Sequence, residues 1–312
     1  MSIKAVIRST GAYLPPKIVT NADLEKLVDT SDEWIVKRTG IKERRIAGDD
    51  ETTGTMAIAA GKQALENARL TGAEIDCVIV ATTTPDRIFP AVAVNVQQAL
   101  GILPGPAFDV QAVCTGFVYA LSIANSFIQT GVSKRALVIG AEKMSSIIDW
   151  SDRTTCVLFA DGAGAVIVEA NEKNDGRGII STHLYADGRH QDILYADTKI
   201  VMEGREVFKH AVHFMADVVQ EVLEKNNLKP EDIDMLVPHQ ANIRIIEATA
   251  KKLNMPMDKV VTTVDRHGNT SAASIPLALH EAVSGGKIKE NDLVLIEGMG
   301  GGLTWGATLL RF

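Results

Sequence analysis

Short apolar runs alternate with segments of helical period along most of the chain, the pattern of strands covered by helices. Runs at 77–83, 107–111, 135–140 and 157–169 predict strands, the last bent at Gly162-Ala163-Gly164. A second series falls at 235–238, 260–264, 293–297 and 304–311, and residues 1–16 predict a short strand followed by a turn. Between Glu206 and Leu223, the residues Phe208, Val212, Met215, Val219 and Val222 recur every three or four positions, which predicts an amphipathic helix. Segment 110–133 carries no charge, but Gln111, Ser122, Asn125 and Gln129 interrupt it, so a buried helix fits better than a membrane span.

The pattern also repeats. Leu70-Thr-Gly-Ala-Glu-Ile-Asp76 aligns with Leu228-Lys-Pro-Glu-Asp-Ile-Asp234, and Leu137-Val-Ile-Gly140 with Leu295-Ile-Glu-Gly298, both at an offset of 158 residues. Two copies of one unit are therefore expected, 1–172 and 173–312, with the seam in the Asn-, Asp- and Gly-rich stretch 171–177. Halves packed face to face would open their strand ends into one cleft, where ligands collect in open α/β sheets.

Composition narrows the chemistry. At 312 residues, 46% apolar and 23% charged, the chain can bury a large core. A net charge of −7 argues against nucleic acid as a general partner. Three separated cysteines with no CxxC pattern support neither a disulfide framework nor a zinc cluster, and His210 and His213 lack companion ligands, so no metal is expected. The first residues hold no long apolar stretch, and a soluble, cytoplasmic protein without membrane partners is expected.

Candidate chemistry gathers at three places. Phe108-Asp-Val-Gln-Ala-Val-Cys114-Thr-Gly-Phe117 leads from a strand into the uncharged helix, so Cys114 falls at a helix N-terminus, where backbone N–H groups favour an anion. Shifting a thiol from about 8.5 to about 7 needs roughly 2 kcal/mol, the upper limit of a helix end, so a histidine is expected to assist. A small buried hydrophobe is the other reading of Cys114, and the one that suits Cys77 and Cys156. His239 ends the run Met235-Leu-Val-Pro238 and precedes Gln240-Ala-Asn242; Asn269 follows Arg266-His-Gly268 in a turn before a small-residue helix. Each could equally be a hydrogen-bonded core residue. Gly298-Met-Gly-Gly-Gly-Leu-Thr-Trp-Gly306 fails as a G-x-G-x-x-G loop and reads either as a tight hairpin or as backbone N–H groups bared for an oxyanion.

Taken together, Cys114-Thr-Gly-Phe117, Pro238-His-Gln-Ala-Asn242, Arg266-His-Gly-Asn269-Thr-Ser and Gly300-Gly-Gly-Leu-Thr-Trp-Gly306 resemble the β-ketoacyl-acyl carrier protein synthase III family, over essentially the whole chain. The resemblance implies the thiolase fold, an α/β fold in which duplicated βαβαβ halves form a five-layered αβαβα sandwich. It implies an acyltransferase that condenses a short acyl-CoA with malonyl-acyl carrier protein, using Cys114, His239 and Asn269 as catalytic residues and the backbone N–H groups of Cys114 and Gly301 as oxyanion hole. Acyl-CoA is then a substrate and no cofactor is needed. Coenzyme A would meet Trp34, Arg38, Arg153 and Asn242, and the carrier protein Lys209, Gln240, Arg244 and Lys251. Phe89 resembles a loop residue that crosses a homodimer interface to shape the acyl pocket. Met299 stands where relatives usually carry Phe, which keeps that pocket apolar without a rigid ring. Rival readings are a related condensing enzyme of secondary metabolism or long-chain ketone synthesis, and a non-catalytic acyl-CoA or carrier-protein binding module.

Overall fold

The computed structural model describes residues 3–173 and 175–312, so the first two residues of the expected opening strand and one residue of the expected seam lie outside it. In chain order, β1 (Lys4–Tyr13) and β2 (Ile18–Thr20) precede α1 (Asn21–Leu24), α2 (Asp32–Thr39) and β3 (Glu43–Arg45). Then come α3 (Thr53–Ala68), β4 (Cys77–Ala81), α4 (Val92–Ala99), β5 (Ala107–Val110), α5 (Gly116–Gln129), β6 (Arg135–Lys143) and β7 (Asp161–Asn171). They are followed by β8 (Gly178–Ala186), β9 (Leu194–Ala196), β10 (Ile200–Met202), α6 (Gly204–Lys225), β11 (Met235–Pro238) and α7 (Ile243–Lys252). The last are α8 (Val264–His267), α9 (Ser274–Ser284), β12 (Leu293–Gly300) and β13 (Thr304–Arg311).

Two sheets carry the architecture, one in the order β1-β7-β6-β4-β5 and one in the order β11-β12-β13-β8. Their central strands are apolar on both faces because both are covered. Along β4, Cys77, Ile79 and Ala81 join a central core with α5 and α9, whereas Val78 and Val80 pack against α3 and α4. Along β12, Val294 and Ile296 join the same central core, and Leu293 and Leu295 pack against α6 and α7. The layers are thus helices, sheet, the buried pair α5 and α9, sheet, helices: the αβαβα sandwich of the thiolase fold. Among the described residues no helix is long and apolar enough to cross a membrane.

The 158-residue offset reappears in the geometry. Asp76 accepts the Arg135 N–H at 3.2 Å, and Asp234 accepts the Leu293 N–H at 2.8 Å. Arg69 and Asn227, just past α3 and α6, have φ of 58° and 54°. Val113 and Ser271, in the single turns before α5 and α9, have φ of 50° and 49°. Where the buried helices meet the opposite sheet the backbones nearly touch: a Cβ on Gly140 would lie 2.2 Å from the Ala272 carbonyl oxygen. Replacing Gly140 by alanine is expected to cost about 3 kcal/mol through this overpacking, seen as a lowered denaturant midpoint.

Two strand expectations need correction, as does the reading of Cys156 as lying inside a strand. Residues 157–160 are not strand; their backbone grips residue 269 instead, with Asn269 N–H donating to Leu158 O and Ala160 N–H to Asn269 O, both at 2.9 Å. Cys156, beside them, is buried in a turn rather than in a strand. At 260–264 only Val260 makes an isolated bridge to Leu236, because the Gln240 side chain takes the Thr263 and Val264 N–H groups at 2.7 and 3.1 Å and turns the chain into α8. β8 was not anticipated, its apolar positions being diluted by Ser181, Thr182 and His183.

Candidate active site

Cys114 lies in the turn Val113–Thr115 between β5 and α5, at the mouth of the buried helix. Val113, a β-branched residue at φ 50°, holds a strained conformation of the kind that costs about 1–3 kcal/mol. The β12–β13 hairpin holds it there. Thr304 Oγ1 donates to the Ala112 carbonyl at 3.0 Å, and Thr115 Oγ1 donates to the Thr304 carbonyl at 2.9 Å. A Cβ on Gly300 would sit 2.6 Å from the Cys114 nitrogen, so only glycine allows this contact. The glycine run therefore does form a hairpin, and its strand end lies against the Cys114 backbone. Gly301, next along, packs on the Leu194 carbonyl, 2.7 Å from where its own Cβ would be.

His239 follows the last residue of β11, its backbone N–H donating to the Glu297 carbonyl at 2.8 Å. Its Nδ1 is 2.5 Å from Ser274 Oγ. That hydroxyl also accepts the Gln240 N–H at 3.3 Å, and because Nδ1 is the acceptor at hand for its own proton among the described residues, the ring proton is assigned to Nε2. Burial pushes the His239 pKa down to about 3, which keeps the ring neutral. Asn269 Oδ1 accepts the Ser271 N–H at 2.9 Å, which leaves its NH₂ group free to donate. Cys114, His239 and Asn269, all buried, line one cavity of 680 Å³. Gly298 lies beside both, the position of a Cβ there being 3.5 Å from Cys114 O and from His239 Cβ.

The thiol differs from expectation. Burial pushes its pKa up to about 12, although a hydrogen bond to Ser271 opposes the rise. Cys114 is thus held as a thiol, donating to Ser271 Oγ at 3.6 Å. Ser271 Oγ in turn donates to Glu142 Oε1 at 3.1 Å. Ser271, Ser274 and Glu142 were not singled out from the sequence. Ser271 lies inside the quoted Asn269 segment, Ser274 three residues beyond it, and Glu142 just past the run predicted at 135–140.

Toward solvent the cavity is lined by Trp34, Arg38, Arg153, Asn242 and Arg244, and by Arg205, a cation the sequence reading missed. The Arg38 and Arg153 guanidinium carbons lie 5.2 and 5.0 Å from the Trp34 ring centre. Asn242 caps α7 by accepting the Arg244 N–H at 2.9 Å, and Arg244 lies 5.3 Å over the Phe208 ring. Lys209 and Lys251 are exposed. Gln240 is not: it is fully buried and its amide donates to the Pro238 and Val261 carbonyls, so the expectation that it meets a carrier protein is corrected to a structural role. Met299 lines the cavity, whereas Phe89 stands 82% exposed beside Ile88, 99% exposed, on the loop before α4. Among the described residues no group of three His, Cys, Asp or Glu side chains is placed to hold a metal.

Comparison with known proteins gives one consistent picture. Residues 108–188 match the family model described as 3-oxoacyl-[acyl-carrier-protein] synthase III, and residues 223–312 match the model of its C-terminal part. The chain is 58% identical to a beta-ketoacyl-[acyl-carrier-protein] synthase III of Rhodospirillum centenum, over all of both chains. Its identity to the protein of that name from Rhizobium johnstonii is 57%, over 99% of this chain and 100% of that one. The crystal structure of the 3-oxoacyl-[acyl-carrier-protein] synthase III of Aquifex aeolicus superposes with a TM-score of 0.96 at 55% identity, covering 99% of this chain and 100% of that chain.

Proposed function

The chain belongs to the 3-oxoacyl-[acyl-carrier-protein] synthase III family, and on that premise we propose that its cavity performs a decarboxylative condensation that initiates fatty acid synthesis. One observation carries this reading: a thiol, a neutral imidazole N–H and a carboxamide NH₂ converge on a single buried cavity. Cys114 attacks the thioester of a short acyl-CoA and expels CoA, leaving an acyl-enzyme. Malonyl-acyl carrier protein then loses carbon dioxide, and the negative charge gathers on its thioester oxygen as an enolate. Neutral donors suit that oxygen, and His239 Nε2–H and Asn269 Nδ2–H are the pair at hand. The enolate carbon attacks the acyl-Cys114 carbonyl, whose oxyanion meets the backbone N–H groups of Cys114 and Gly301. The β-ketoacyl product leaves on the carrier protein. These steps need no cofactor beyond the two thioesters. A thiol sharing one cavity with an imidazole and a carboxamide argues against a binding-only module. The test is a purified reaction with acetyl-CoA and malonyl-acyl carrier protein: acetoacetyl-acyl carrier protein is expected by mass, and bound but unreacted substrates would overturn the reading.

Trp34, with the Arg38 and Arg153 guanidinium groups close to its ring, suits a planar purine. Arg38 serves the CoA phosphates, and Asn242 the pantetheine arm. Losing a purine–indole stacking contact of about 1–2 kcal/mol should raise KM for acyl-CoA roughly 5- to 30-fold in Trp34→Ala, with kcat nearly unchanged. Lys209, Arg244 and Lys251 offer exposed positive charge for an acidic carrier protein on an otherwise acidic chain. Exposed Ile88 and Phe89 support a homodimer in which Phe89 closes the partner's acyl pocket, with Met299 on the opposite wall. The halves 1–172 and 173–312 contribute Cys114 on one side and His239 and Asn269 on the other. A cytoplasmic location fits the substrates.

A further inference from the structure

The site poses a problem that the condensation chemistry alone does not solve. Cys114 must lose a proton before it can attack, yet it is buried and resists ionisation. His239 is a poor acceptor, because burial keeps its ring neutral and its Nε2 already carries the hydrogen that the enolate needs. A charge pair of thiolate and imidazolium would also have to be created where water is scarce.

A second route leaves the sulfur on the other side. Cys114 Sγ, Ser271 Oγ and Glu142 Oε1 form a chain of donors with steps of 3.6 and 3.1 Å, all three side chains buried. Glu142 is fully buried and, among the described residues, has no cation as a hydrogen-bond partner; its partners are Thr82 Oγ1, Thr83 N and Oγ1, Thr84 Oγ1 and Ser271 Oγ. The titratable groups facing the sulfur are Glu142, at the end of β6, and His239, after β11. Ser271 is fixed for this position by φ 49° and by its N–H bond to Asn269 Oδ1. It occupies in the second copy the place that Val113 holds in the first, and its hydroxyl links Cys114 to Glu142.

We propose that Ser271 and Glu142 form the proton relay of Cys114, with Glu142 holding the thiol proton for the lifetime of the acyl-enzyme. The inference rests on the acyl-enzyme reading above. On acylation, the Cys114 proton passes to Ser271 Oγ while the Ser271 proton passes to Glu142 Oε1. One negative charge moves from carboxylate to sulfur, so the buried charge is unchanged. The thiolate forms the new S–C bond, CoA leaves as its thiolate and takes a proton from solvent. After the enolate attacks and the tetrahedral adduct collapses, the Cys114 thiolate is released and recovers its proton from Glu142 through Ser271. Over the cycle one solvent proton is consumed, as the conversion of a malonyl carboxylate to carbon dioxide requires. Burial raises the Glu142 pKa, which brings the carboxylate closer to the thiol as a base despite its many donors.

The test is the pH profile of single-turnover acylation of Cys114 by acetyl-CoA, followed by mass, in the wild type, Ser271→Ala and Glu142→Gln. With an internal acceptor, the wild-type rate should stay nearly flat between pH 6.5 and 9, since no proton reaches bulk water. Ser271→Ala breaks the chain, so the thiol must ionise to solvent: the rate should fall on the order of 100-fold at pH 7 and rise about tenfold per pH unit. Glu142→Gln should show the same slope; a melting curve reports whether it folds, and Ser271→Ala decides alone if it does not. A Ser271→Ala profile parallel to the wild type, with no loss or with one constant loss at every pH, would overturn the relay, as would a flat profile in folded Glu142→Gln. If wild-type Cys114 is not acylated at all, the underlying reading fails instead.

Discussion

Replacing Cys114 by serine abolishes acyl transfer from CoA and with it the overall condensation, by at least about 10⁴-fold. The size of the loss follows from the setting. A serine hydroxyl is far less acidic than a thiol, and neither acceptor suffices: burial holds the His239 ring neutral, with a pKa of about 3, and a carboxylate reached through Ser271 is too weak a base for a hydroxyl proton. The substitution is nearly isosteric, and the turn around it is held by backbone and threonine contacts that do not involve the sulfur, so the fold should persist. CoA binding at the Trp34 end should remain within a few-fold. The measurement is product formation from acetyl-CoA and malonyl-acyl carrier protein, set beside a titration with CoA alone. Residual condensation at a tenth of the wild-type rate would move the nucleophile elsewhere.

Alanine at position 239 splits the two half-reactions. Decarboxylation should fall by about 10²–10³, the usual consequence of removing one donor to a developing oxyanion, while acylation of Cys114 falls less than tenfold. The asymmetry arises because the imidazole donates through Nε2 and does not take up the thiol proton. For the same reason the acid limb of wild-type decarboxylation should show no inflection near the ordinary histidine value of about 6.5. With the folded pKa near 3, the imidazolium is negligible at pH 5 and above. Carbon dioxide release and acyl-enzyme formation, measured separately across pH, check both statements. Equal loss of the two steps in His239→Ala would contradict them.

How much of this could be read from the sequence differs between the fold and the site. The layered architecture followed from the alternation of apolar runs and helical periods, and the duplication from two short matches at one offset. Those matches fall on the Asp76 and Asp234 corners and on β6 and β12, and in each copy the aspartate accepts from the first residue of the strand 59 residues on, so the repeat is written in short motifs at matching places. What escaped depends on long-range partners. Residues 157–160 look like a strand, but their hydrogen bonds go to Asn269, more than a hundred residues away. Gln240 looked like a surface amide until its carboxamide proved to close the backbone at Pro238, Val261 and Thr263. The cysteine was legible because a strand ran straight into an uncharged helix, whereas its protonation was not. A helix end attracts a thiolate, but the cost of full burial outweighs it, and burial is a property of the packed molecule. Glu142 and Ser271 illustrate the same limit: they lie 129 residues apart and meet only because the two halves fold against each other.

The most direct check is peptide mapping by mass after brief exposure of the native protein to acetyl-CoA. An added acetyl group confined to the peptide that contains Cys114, and discharged when malonyl-acyl carrier protein follows, is the predicted result. An unmodified Cys114 peptide from protein that demonstrably holds CoA, or acetyl on Cys77 or Cys156 instead, would contradict the assignment of the nucleophile.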